Sequence, residues 1–180
     1  RIGFGGPLTG AVEKELDIER LVFLSRQHFI SSAAHFVNST LAVILLWPYH
    51  GTELLFWLAA FYAFAFLGIF GWWKNRGRPR PRSAPVRIRR SGTLTAGVIG
   101  ILWGVFCSYY MPTDNDLVLL LLCFIITGNA AGGAIATYPL PSAAFAFIGG
   151  LMLPSMATLL TVDSMIAHLI FAMGLGYMLF

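Results

Sequence analysis

The sequence predicts an all-α integral membrane protein, a bundle of six transmembrane helices with both termini cytoplasmic. Three observations predict it. Of the 180 residues, 57% are hydrophobic and only 11% are charged, against about 25% charged in an ordinary soluble domain. Six apolar runs follow one another, each approaching the roughly 20 residues that a helix needs to cross the hydrocarbon core. The cations are gathered rather than spread, with eight of the twelve Lys and Arg lying in residues 74–90.

The elements follow in order. Residues 1–20 read as a cytosolic N-terminal segment, Gly-rich at first and then a short charged helix, AVEKELDIER, over 11–20. The first span covers about 21–47, and Pro48 is expected to end it. WPYHGTE supplies an interfacial loop, since Trp and Tyr suit the headgroup region. The second span, about 54–73, closes on Trp72 and Trp73 just before Lys74. In the loop 74–90, prolines and glycine forbid regular structure through Pro85. The third span covers about 91–111, and an acidic turn with Asp114 and Asp116 leads to the fourth, about 117–137.

Tyr138-Pro-Leu-Pro141 is so short that helices four and five must be antiparallel neighbours. The fifth span, about 142–160, carries Pro154 as an expected kink. Asp163 or Ser164 is expected to cap the sixth, which covers 164–180 and has not ended at Phe180. No basic–apolar–small signal pattern opens the chain, and its last residue lies inside an apolar run. It therefore reads as a piece of a longer protein.

Charge asymmetry sets the orientation. The basic loop 74–90 goes inside, where it also meets anionic lipid and not nucleic acid. An even number of crossings puts Lys14, Arg20 and Arg26 inside as well. The loops with Glu53, Asp114, Asp116 and Asp163 fall outside. No P-loop, HExxH, nucleophile elbow or Ser/His/Asp set occurs, so no catalytic residue is assigned. The spans hold no carboxylate for a cation-coupled carrier. Cys107 and Cys123 lie inside apolar runs and indicate no disulfide.

One stretch carries candidate chemistry. His28, Ser31, Ser32, His35, Asn38 and Ser39 recur at spacings of three, four and seven, which places them on one face of the first span. Polar groups in hydrocarbon need partners. The stripe therefore holds neighbouring helices by hydrogen bonds, lines a ligand site, or does both; Asn129 in the fourth span is an amide able to answer it. His35 lies near mid-membrane and His28 near the cytosolic rim. A haem b held between spans would take His35 with His168, with His28 left unmatched at its own depth. A metal near the outer surface would take His50 with His168, and the residues do not identify which metal. Gly100-x-x-x-Gly104 and Gly128-x-x-x-Gly132 allow close helix approach, chiefly within the bundle.

Several strings carry a resemblance over roughly 15–180: IERLVFLSRQHFISSAAHFVNSTLAV, WWKNR, TLTAGVIGILWG and ITGNAAGGAIATYPLPSAAFAFIGGLMLPSMATLL. They resemble the six-helix N-terminal membrane module found in front of bacterial GGDEF diguanylate cyclases, EAL phosphodiesterases, histidine kinases and class III nucleotide cyclases. The resemblance implies a sensor and anchor in the bacterial inner membrane. It further implies a homodimer whose sixth helix continues into a cytosolic output domain. A haem-b redox sensor and a small transporter or channel are the other readings the residues allow.

Overall fold

The computed structural model describes residues 10–76, 86–163, 165, 167, 168 and 170–172. The side chains of 11–14, 17, 20, 21, 24–28 and 75 lie outside that description, and with them the expectation on His28. Among the described residues, five continuous α-helices follow in order: α1 Gly10–His50, α2 Leu54–Asn75, α3 Val86–Tyr110, α4 Asp116–Thr137 and α5 Pro141–Leu159. No strand occurs among the described residues. Among the described residues, four stretches are long and apolar enough to cross a membrane. The first of them, the 46-residue Phe29–Lys74, is folded back on itself. Phe29 meets Trp72 at 4.8 Å between ring centroids, and Thr40 meets Tyr62 at 2.8 Å, so α1 and α2 form an antiparallel hairpin.

Several boundaries differ from expectation, each for a local reason. The charged segment 11–20 is not a separate short helix but the first turns of α1, because nothing in AVEKELDIER breaks the helix before the span. Pro48 does not end α1. It lies in the last turn, where a missing N–H deprives only the Ile44 carbonyl, and the helix runs on to His50. Gly51 ends it with φ at +58°, a conformation that favours glycine, and a single 3-10 turn over 51–53 leads into α2. α3 begins at Val86, directly after Pro85, so Arg87, Arg89 and Arg90 are helical. At α4 the Asn115 side chain accepts from Leu117 N–H at 3.0 Å and Val118 N–H at 3.3 Å, an N-cap that starts the helix after the acidic turn. Pro141 stands in the first turn of α5, where its missing N–H costs nothing. Of the expected sixth span, 164–180, residues 165, 167, 168 and 170–172 are helical; 164, 166, 169 and 173–180 lie outside the described residues, so the span is not established.

The tightest seam joins α3 and α5, which are not neighbours in sequence. Thr93 meets Ser142 at 2.9 Å, Gly97 faces Ala146, and Gly100 lies against the Phe147 backbone. Gly104 faces the carbonyls of Gly150 and Leu151. Both numberings rise together, so the two helices run parallel. A Cβ on Gly104 would stand 2.5 Å from Gly150 O and 2.8 Å from Leu151 O, so only glycine fits. Pro154 reinforces the contact. Its missing N–H leaves the Gly150 carbonyl without the usual helical donor, free for a Cα–H contact with Gly104.

Gly104→Ala is expected to cost about 1–3 kcal/mol by overpacking this seam. Gly128→Ala meets nothing within 4 Å and is expected to be neutral or slightly stabilising. Thermal unfolding of the two variants in detergent checks the contrast.

Candidate functional site

The polar stripe of α1 does not face one partner. At 100° per residue it covers a wedge of about 120°, in which Ser32 and Ser39 are buried, Ser31 and His35 are half-buried and Asn38 is exposed. Ser32 points at α2, where a Cβ on Gly68 would overlap its hydroxyl. Ser39 is fully buried but donates to Phe36 O of its own helix at 3.1 Å. Asn38 Nδ2 donates to Asn129 Oδ1 on α4 at 3.5 Å, and Asn129 Nδ2 donates to Ile125 O at 2.8 Å. The opposite side of α1 shows Ile30, Val37, Leu41 and Ile44, all exposed and apolar, as a lipid-facing surface requires.

His35 stands at the centre of the wedge. Its Nδ1 accepts from the Trp103 indole N–H at 3.2 Å. Its ring lies 6.5 Å from that of Trp103 and 6.2 Å from that of Phe147. Beyond it, toward the 51–53 turn, aromatic rings fill the bundle. Phe61 meets Trp103 at 4.2 Å, Trp57 meets Phe106 at 5.6 Å, and His50 meets Tyr110 at 4.3 Å.

On the other side of His35 the bundle is hollow. A half-open chamber of about 660 Å³ reaches from Arg87 and Ser91 at the basic-loop end to Ile99, His35 and Phe147 at its floor. Arg87 to Ile99 is about 18 Å along a helix. All five helices line it. Ser31, Ser32 and His35 come from α1, Phe64 and Leu67 from α2, Thr95 and Ala96 from α3, Gly133 and Thr137 from α4, and Ala143 and Phe147 from α5. Small side chains on α3, α4 and α5 leave the space. Gly133 is necessary at its position, since a Cβ there would overlap the Phe147 ring. A second cavity of about 190 Å³ lies in the seam between α1 and α4 and shares Ser31, His35, Gly133 and Ala136 with the first.

Trp103, Phe147, Gly133 and Arg87 went unremarked as site residues in the sequence. Trp103 carried a usable signal. Tryptophan favours the membrane interface, and one in the middle of a span needs a buried partner for its N–H.

The geometry bears on haem. An imidazole that ligates iron presents a bare nitrogen to the metal and donates from the other ring nitrogen. Here Trp103 donates to Nδ1, so the ring proton resides on Nε2, and His35 does not fit as an axial ligand. His168 is exposed on the last helix, whereas His35 faces inward. Among the described residues, no three side chains of metal-ligating type converge. His50 packs against Tyr110 at 4.3 Å between ring centroids, and His168 is exposed.

No family model, curated protein or solved structure matches the chain.

Trp103→Phe keeps the aromatic packing but leaves His35 Nδ1 without its donor, at an expected cost of about 1 kcal/mol beyond packing. The Trp103→Phe/His35→Phe double variant is expected to lose less stability than the sum of the single variants, by about 1 kcal/mol. A double-mutant cycle read by thermal unfolding checks the coupling.

Proposed function

We propose that this chain is a membrane sensor and anchor module. It binds a small amphipathic molecule among its helices. The resulting repacking passes through the last helix to a cytosolic output domain, a nucleotide cyclase, diguanylate cyclase or histidine kinase. In this reading the chain crosses the bacterial inner membrane six times, keeps both termini cytoplasmic and acts as a homodimer. The basic residues around Lys74 and Arg90 face anionic lipid in the inner leaflet.

The observation that carries the reading is the chamber. Its 660 Å³ lies within the range of small-molecule sites, roughly 300–1,000 Å³. An occupant would touch all five helices, and differential contacts of that kind are what bias a bundle between two packings. The aromatic column beyond His35 makes the chamber blind, which favours a binding site over a pore. The charge asymmetry supports the orientation, with Arg87 at the chamber mouth on the cytosolic side.

Thr95→Phe fills the chamber from α3 at a half-buried position. In the full-length protein it is expected to change output activity several-fold at normal membrane abundance. Unchanged output in a chain shown to reach the membrane would sink the sensor reading. For topology, a cysteine placed at exposed Ser91 is expected to label only from the cytosolic side, and one at exposed Asp114 only from outside. Labelling of both from one side would refute the orientation.

A further inference from the structure

We propose that the chamber takes a neutral lipophilic carbonyl compound of the quinone kind, a proposal that rests on the sensor reading above and names its ligand class. The carbonyl oxygen seats on His35, and the molecule enters from the bilayer through the seam between α1 and α4.

The hydrogen bond from Trp103 to His35 Nδ1 decides what His35 offers. With Nδ1 accepting, Nε2 carries the proton and is a donor only. The ring lines both cavities, and Nε2 makes no hydrogen bond among the described residues. A donor held in an apolar chamber is best answered by an acceptor on the ligand. The lining selects against a charged head. Among the described residues, Arg87 is the only ionic side chain in the lining of either cavity. His35 packs at the level of Gly100 and Trp103, about 20 Å along α3 from Arg87. An anion at His35 would lie in low dielectric with no counter-charge near it, and a cation would meet no carboxylate. A neutral carbonyl suits the site, and the Phe147 ring beside His35 offers a surface for a flat conjugated head.

The second cavity supplies the route. Ile30, Gly128, Gly132 and Ile135 edge it, and all four are exposed. At Gly128 and Gly132 an added Cβ would meet nothing within 4 Å, so the seam is open where side chains would otherwise fill it. Its inner wall is shared with the chamber at His35 and Gly133. A lipophile can thus reach His35 from the hydrocarbon without crossing water.

The test titrates decylubiquinone into the full chain in nanodiscs, reading tryptophan quenching and unfolding temperature. Saturable quenching is expected, with a rise of about 5 °C near saturation. His35→Phe is expected to weaken binding roughly tenfold, while His35→Gln, which keeps a donor, stays within about threefold of wild type. Arg87→Gln is expected to leave affinity unchanged. Gly132→Leu, placed in open space, is expected to slow association with unfolding temperature preserved. The proposal is overturned by absence of saturable binding, by equal affinity in His35→Phe, or by oleate binding in its place with dependence on Arg87. If decylubiquinone fails but a total lipid extract still stabilises the wild type and not Thr95→Phe, the ligand class falls and the sensor reading stands. If neither stabilises it, both fall.

Discussion

α3 and α5 meet backbone to backbone along one parallel seam, at Gly97, Gly100 and Gly104 on one side and Ala146, Phe147 and Gly150 on the other. In lipid the hydrophobic effect does little to hold helices together, so close van der Waals contact must serve, and only small residues permit it. Pro154 adds to this by freeing the Gly150 carbonyl at the point where Gly104 approaches. The seam also sets the spacing of Trp103 and Phe147, the two rings that flank His35. Orientation of the imidazole therefore depends on glycines that never touch it.

The hollow and the filled halves of the bundle have one explanation. Toward the 51–53 turn, Phe61, Trp57, Phe106 and Tyr110 interlock ring against ring. Toward the basic loop, the facing positions are Ala96, Gly133, Ala136 and Ala143, which are too small to meet across the bundle. His35 stands at the boundary, with one nitrogen turned to the aromatic half and the ring edging the hollow half. The polar groups of α1 are thereby divided among tasks. Asn38 ties α1 to α4, Ser32 fits the notch at Gly68, Ser39 satisfies itself on its own helix, and His35 accepts from Trp103 and edges the hollow half. A single polar face meets several different surroundings because the neighbours around it differ.

Much of the fold was legible in the sequence. The apolar runs, the proline turn at 138–141 and the interfacial aromatics placed α2, α4 and α5 to within two residues, because length and hydropathy are constraints local to each segment. Pro48 and residues 86–90 were misjudged, since a helix tolerates proline in its last turn and nothing in VRIRR opposes a helix. Gly100-x-x-x-Gly104 was legible as a packing motif. Its partner was not, because the proline turn pointed to α5 beside α4 and said nothing of α3. Gly128-x-x-x-Gly132 has the same spacing but faces open space, so the motif alone did not separate a packed seam from an open face.

The sequence by itself determined a helical chain with runs apolar enough to cross a membrane and a polar, histidine-bearing face on its first helix, since composition and period depend on each residue and its near neighbours. Only the tertiary structure decided that Trp103 donates to His35, that the imidazole therefore keeps its proton on Nε2, and that a chamber lies beside it. Those facts join residues 68 apart in the chain and depend on the crossing of helices that no local pattern encodes.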